Sequence, residues 1–295
     1  MAFLEYRPVN TLYQYCAPAG FFGVLKSRRL WFTDLASAND PREIQLGFEH
    51  IIDALKSIRE DEYRGDRGSF LSTLANHLTR YRERAQAFCC CFSLAVDELP
   101  MWREYGDNYG GLSIGFRPSA VFDIPARIKK VRYLDENAAD DFRKLVLDIA
   151  VQFDETKAPD DFNYWIPATA LAFAAITAVK HVSWTYEREV RLVHMQASKK
   201  PDERDGEIAS ITGLLPDGQL VKWTEPMERL RGSTGVKYLE FPVGRFRKGV
   251  STPERAIERI ILGPKCPLSV AEVTGAMRQH GFERFDVAQS ICNIR

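Results

Sequence analysis

The sequence predicts an α+β fold. Short apolar runs with strand spacing come in groups, long stretches of helical spacing separate those groups, and the two kinds do not alternate as a doubly wound parallel sheet requires.

In order, Leu12, Tyr13 and Tyr15 open a first strand, residues 19–27 have helical spacing, and "RLWFTD" reads as a second strand. "SANDP" is a loop, because Asp40 precedes a proline and is pushed out of helical geometry. Over 42–85 the apolar residues Ile44, Phe48, Ile51, Ile52, Leu55 and Ile58 share one helical face, and "REDEYRGDRGS" divides the stretch into two helices. "AFCCCFSL" is a wholly apolar strand ending at Ser93. "PMWREYGDNYGGLSIGF" gives a helical turn, a glycine turn at Gly110 and Gly111, and another strand. "ARIKKVRYL" is a strand whose Lys129, Lys130 and Arg132 form a solvated face. Residues 136–180 hold two long helices, and "HVSWTYEREVRLVHM" is one continuous strand. Residues 197–233, rich in Asp, Lys, Gly and Pro, form an exposed insertion with a small strand pair. "VKYLEFP", "IERIILGP" and "FERFDVAQSICNI" close the sheet, with "SVAEVTGAMRQHG" a helix between the last two. The expectation is one domain over 1–295, with helical insertions at about 42–85 and 136–180.

Forty basic and forty acidic side chains cancel, which argues against a chain-wide electrostatic footprint for DNA or an anionic membrane and leaves only a local basic groove open. Three of the six cysteines are consecutive and none has zinc-ligand spacing with a histidine, so reduced thiols in a cytoplasmic protein are expected. The N-terminus "MAFLEYRPVN" has no apolar run, and the longest apolar stretch, "IPATALAFAAITAV", is too short to span a membrane.

The most informative stretch is "WTYEREVRLVH". On a strand Thr185, Glu187, Glu189 and Arg191 point one way, and Trp184, Tyr186, Val190 and Leu192 the other. Two readings stay open: a solvent-facing strand of paired charges, or a cleft lined by acids. Two glutamates this close push one pKa upward. The cysteines of "FCCCFS" read as small buried hydrophobes, and without a Gly-x-Ser-x-Gly elbow Ser93 is no hydrolase nucleophile. The five histidines sit in no arrangement that activates a cysteine. "SANDPRE" is either a turn or a loop whose Asn39 and Asp40 close over a ligand. Trp102, Tyr105 and Tyr109 form either a core helix edge or an aromatic platform for a planar ring.

"LYQY", "FFGVLKSRRLWFTD", "NDPRE", "CFS", "PMWREYGDNYGGLSIGF", "KHVSWTYEREVRLV" and "IERIILGP", in this order across nearly the whole chain, resemble a bacterial family catalogued only as a domain of unknown function, with members near phage-defence loci. A more distant resemblance is to ADP-ribosyltransferases: the opening strand, short helix and "RLW" strand look like the start of that fold. "CCCFSLAVDELPMW" is similar in layout to a stretch of its DNA-modifying toxin branch, and the late Glu-x-Glu is what its arginine-modifying members carry. This resemblance implies a central split or mixed β-sheet and NAD as substrate. Glu189 would then stabilise the ribosyl cation and Glu187 activate the acceptor. Gln14 stands where the fold often has His or Arg, with Tyr13 and Tyr15 beside it. Ser93 would support the nicotinamide pocket, Trp102 or Tyr105 would stack on a ring, and Arg191 would orient the carboxylate or bind pyrophosphate. The implied protein is an ADP-ribosyltransferase acting on a protein or nucleic-acid acceptor, a toxin or phage-defence effector with an inhibitor as partner. The alternatives are a non-catalytic ligand-sensing domain on the same fold and, less favoured, a nuclease.

Overall fold

The computed structural model describes residues 6–37, 43–58, 66–151, 162–200, 222–231, 233–244 and 252–294. It has the expected α+β character, with a mixed sheet of ten strands among the described residues.

The sheet is organised around β3 (Ala85–Ser93). One edge of β3 pairs antiparallel with β8 (Glu189–Ala197) along its whole length, from Ala85 opposite Ala197 to Ser93 opposite Glu189. Its other edge is shared. At the C-terminal end Ser93 meets Tyr13 of β1 (Leu12–Cys16), while nearer the N-terminal end Phe88 and Cys89 meet Asp34 and Thr33 of β2 (Arg29–Asp34). Both strands run antiparallel to β3 but pair with different ends of the same edge, so the sheet splits there. One wing continues from β1 through β4 (Leu112–Phe116) and β11 (Ile257–Leu262) to β12 (Asp286–Gln289), which lies parallel to β11. The other runs from β2 through β10 (Thr234–Pro242) to β9 (Met227–Arg231), while β5 (Arg127–Lys130) lines the far edge of β8. A separate parallel pair joins β6 (Arg132–Leu134) to β7 (Val179–His181).

Strand alternation sends the two sets of apolar side chains to opposite faces. Phe88, Cys90 and Phe92 enter a core with Leu12, Ile114 and Leu192. There α1 (Pro18–Ser27) and α7 (Val270–Gln279) contribute Phe21, Leu25, Val273 and Met277. The second face carries Cys89, Val193 and Met195 into a core shared with α2 (Glu43–Ser57), α3 (Asp66–Arg84), α5 (Ala138–Val151) and α6 (Phe162–Ile176). The apolar face read for residues 44–58 is what α2 buries here, with Ile51 wholly covered. The start of α7 is fixed by a capping box: Ser269 Oγ accepts from the Glu272 amide at 3.2 Å, and Glu272 Oε2 accepts from the Ser269 amide at 2.7 Å. The short α4 (Leu99–Glu104) sits after β3.

Two sequence expectations change. "HVSWTYEREVRLVHM" is not one strand: Val182–Glu187 form a 3₁₀ turn between β7 and β8. Lys129 is not on a solvated face but 1% exposed, because β5 covers β8 and its alternation turns Lys129 inward opposite Arg191. Within the expected insertion at 197–233, residues 201–221 and 232 lie outside the described residues; the described part holds β9, whose partner is β10, the strand read separately as "VKYLEFP".

Two helix glycines test the packing with opposite signs. A Cβ on Gly47 of α2 would lie 2.4 Å from the Ile176 carbonyl oxygen, so Gly47→Ala is expected to cost about 3 kcal/mol through forced separation of the helices. A Cβ on Gly275 of α7 meets nothing within 4 Å, so Gly275→Ala is expected to gain about 0.5–1 kcal/mol. Urea unfolding of both variants checks this; equal shifts would contradict the packing.

Candidate functional site

The site forms where β7 turns into β8. His181 caps the 3₁₀ turn by accepting the Ser183 amide, and Arg188 leaves the turn in the left-handed region at φ 45°. This reversal breaks strand alternation. It brings Glu187 and Glu189 onto one ammonium group from two directions: Lys180 Nζ lies 2.5 Å from Glu187 Oε2 and 2.9 Å from Glu189 Oε2. Arg191 grips Glu189 with two further bonds, at 2.7 Å and 3.1 Å, and donates a third to the Thr177 carbonyl at 2.8 Å. The Tyr105 hydroxyl donates to Glu187 Oε1, and the Tyr133 hydroxyl accepts the Glu189 amide at 2.8 Å. Lys180 also lies 5.2 Å from the Trp184 ring centre. Glu187 is 2% and Glu189 4% exposed.

The two acids are driven apart. Burial, then the adjacent Glu189 charge, pushes the Glu187 carboxyl above the usual glutamate value despite Lys180 and Tyr105. Burial opposes ionisation of Glu189 as well, but Arg191 and then Lys180 outweigh it and hold that carboxyl well below the usual range. The expectation that one member of the pair rises is borne out, and the member is Glu187. Burial raises the Tyr133 and Tyr186 hydroxyls above their ordinary value.

Strand register extends the site across the sheet. Glu189 is opposite Ser93, Ser93 opposite Tyr13, Tyr13 opposite Gly115 and Gly115 opposite Arg259. Directly opposed residues share a face, so these five form one row across β8, β3, β1, β4 and β11. Gly115 is filled over by its neighbours: a Cβ there would meet the Tyr13 ring at 3.0 Å and Thr11 at 2.9 Å, so only glycine lets those side chains lie across the row. Two adjoining hollows of about 360 and 470 Å³ open along this part of the row and share Thr11, Tyr13 and Glu258.

Of the residues singled out by sequence, Tyr13, Tyr15, Ser93, Trp102, Tyr105, Glu187, Glu189 and Arg191 come together on this side of the sheet. Gln14 does not. Tyr13 faces with Ser93, so Gln14 turns to the opposite face and donates to Cys90 Sγ at 3.3 Å. The strand-1 residue in line with Ser93 and Glu189 is Tyr13. Trp102 is wholly buried, edge-on to Tyr15 with centroids 4.8 Å apart, and donates to Asp97 at 2.5 Å, so it has no face left for a ligand ring. Ser93 is a strut: its hydroxyl donates to the Glu187 carbonyl at 2.5 Å and accepts the Ala95 amide at 2.8 Å. Asn39 and Asp40 lie outside the described residues. Lys180 and Tyr133 carry roles that sequence reading missed, since nothing in the spacing from Lys180 to Glu187 signals convergence. No group of three or more metal-binding side chains occurs among the described residues, and no helix there is long and apolar enough to cross a membrane.

Lys180→Met is expected to destabilise the protein by about 3–5 kcal/mol at pH 7, because it leaves buried carboxylate charge short of a partner. The sign of the pH effect follows from Glu187. Its folded pKa, already raised, rises further without the ammonium, so the folded state takes up a proton before the unfolded chain does. Stability of the variant therefore increases as pH falls from 8 towards the unfolded glutamate value of about 4.3, and its gap to the wild type narrows. Urea unfolding across that range checks it, and a gap independent of pH would contradict it.

The family model described as "Protein of unknown function (DUF2971)" matches residues 101–192, a span that contains Tyr105, Lys180, Glu187, Glu189 and Arg191. No curated protein and no solved structure matches the chain. The family resemblance read from the motifs is thus matched over residues 101–192, the stretch that supplies the charged cluster.

Proposed function

We propose that the protein is an NAD-consuming ADP-ribosyltransferase-like enzyme, a toxin or phage-defence effector that transfers ADP-ribose to a protein or nucleic-acid acceptor. The observation that carries this reading is the row Tyr13, Ser93 and Glu189 across three adjacent strands, whose Tyr13 end lines a hollow of about 470 Å³. The separated acids suit the chemistry. Transfer needs a carboxylate that stays ionised while the C–N bond to nicotinamide breaks, the electron pair leaves with nicotinamide, and positive charge builds on the ribose; Glu189, held low by Arg191 and Lys180, fits that task. It also needs a group that takes the acceptor's proton as the acceptor attacks the ribose carbon. A carboxyl with a raised pKa is the better base, and Glu187 fits it.

A second reading, a non-catalytic ligand-sensing domain, is favoured by one observation: Arg191 and Lys180 already occupy both oxygens of Glu189. The two separate on incubation with NAD. The enzyme reading expects nicotinamide release by the wild type and a loss of about 100-fold or more in Glu189→Gln, measured where circular dichroism shows that variant folded. NAD binding without nicotinamide release, or undiminished release by Glu189→Gln, would overturn it.

A further inference from the structure

The arginine end of the row has no part in the proposed chemistry. Arg259 closes the row at the end opposite Glu189, four strand steps away, about 19 Å at the usual strand spacing. That is too far for the pyrophosphate of an NAD molecule whose nicotinamide bond lies at Glu189. Beside Arg259, the hollow of about 360 Å³ is lined by Thr11, Arg117, Arg284 and Phe285.

The three arginines differ in state. Arg117 is spent on structure: it donates to the Arg255 carbonyl at 3.0 Å, to Glu258 at 2.5 Å and to the Arg284 carbonyl at 2.6 Å. The last bond ties down the backbone of Arg284, which lies in the left-handed region at φ 55°, uncommon for a non-glycine residue. Glu258 is likewise spent, on Arg117 and on the Thr11 hydroxyl. The guanidinium groups of Arg259 and Arg284 are exposed and make no ion pair with another described residue. Asp286, opposite Arg259 on β12, is the carboxylate that opposes them, so this end of the hollow keeps a surplus of positive charge. The adjoining hollow of about 470 Å³ has a mixed lining, with Val9, Leu94, Val96 and Pro118 apolar and Asn10, Thr11 and Glu258 polar, next to Tyr13.

A pair of available guanidinium groups lies at one end and a hollow of mixed lining, edged by Tyr13, at the other. Together they match a ligand with a phosphate head and a planar body that has both an apolar face and hydrogen-bonding edges. We propose that this groove is a binding site for a nucleoside phosphate separate from NAD, with the phosphate on Arg259 and Arg284 and the base in the adjoining hollow beside Tyr13. The same chemistry is offered by a free nucleotide and by the phosphorylated end of a nucleic-acid strand.

Calorimetric titration of the full chain with AMP, adenosine and a 5′-phosphorylated tetranucleotide tests it. AMP is expected to bind about tenfold or more tightly than adenosine and to weaken as salt is added. Arg259→Ala with Arg284→Ala, both at exposed positions, is expected to weaken AMP by about tenfold or more with an unchanged unfolding midpoint. Tighter binding of the tetranucleotide than of AMP identifies a strand end, and equal binding a free nucleotide. Equal affinity for AMP and adenosine, no AMP binding at millimolar concentration, or wild-type AMP affinity in the double variant would overturn the proposal. None of these readings depends on NAD turnover, so the groove and the enzyme reading fail separately.

Discussion

One ammonium group, that of Lys180, is shared by two buried carboxylates, and the organisation of the site depends on it. Glu187 and Glu189 stand two residues apart in a region almost closed to water, where like charges repel strongly and each is costly to bury. Lys180 bonds both at once, and Arg191 takes the remaining side of Glu189. The consequence is asymmetry. Glu189 has two cations and is fixed as an anion, whereas Glu187 shares one cation, gains a tyrosine donor and keeps a raised pKa. Buried ion clusters are weak evidence for stability alone, since hydrophobic replacements of the same volume often do as well. What this cluster does show is two identical side chains given different protonation behaviour by their surroundings.

The sheet makes that cluster possible. Full-length pairing of β3 with β8 puts Ser93 beside Glu189, and because β1 and β2 pair with different ends of the other edge of β3, the first of these strands is alone at the Ser93 end. Ser93 then bonds the Glu187 carbonyl, and the Leu94 amide bonds the Arg188 carbonyl at 3.1 Å, so the end of β3 is sewn to the turn that presents the acids. Asp97, a few residues on, takes the Trp102 indole and the Ser290 hydroxyl, which anchors α4 beneath the same cluster. The site is therefore built on strands and on a turn tied down at both ends, the arrangement that holds functional groups most precisely.

Much of this was legible in the residues. The apolar periodicity of 44–58, the strand "RLWFTD", the apolar run ending at Ser93 and the charge pattern at 187–191 correspond to α2, β2, β3 and the charged cluster. What was not legible has physical causes. The resemblance assigns the strand-1 role to Gln14, with Tyr13 and Tyr15 beside it. It cannot say which of them faces the acids, because a strand has period two and a one-residue shift reverses every side chain; the register puts Tyr13 there. The 3₁₀ turn at 182–187 carries the aromatic and β-branched residues of a strand, and nothing in composition signals the left-handed Arg188 that ends it. Lys129 sits in a basic run that looks solvated until β5 is known to lie against β8. The partnership of Lys180 with two acids arises from a chain reversal, and sequence spacing does not encode where a reversal brings a flexible side chain.

The central claim is that environment has set Glu187 and Glu189 to opposite protonation behaviour. Carbon-13 NMR titration of the side-chain carboxyl groups, with each residue assigned by its Gln variant, measures this directly. The expected result is a Glu187 resonance that titrates above the ordinary glutamate value of about 4.3 and a Glu189 resonance that stays ionised until the protein unfolds in acid. Two carboxyls titrating together near the ordinary value would contradict the account.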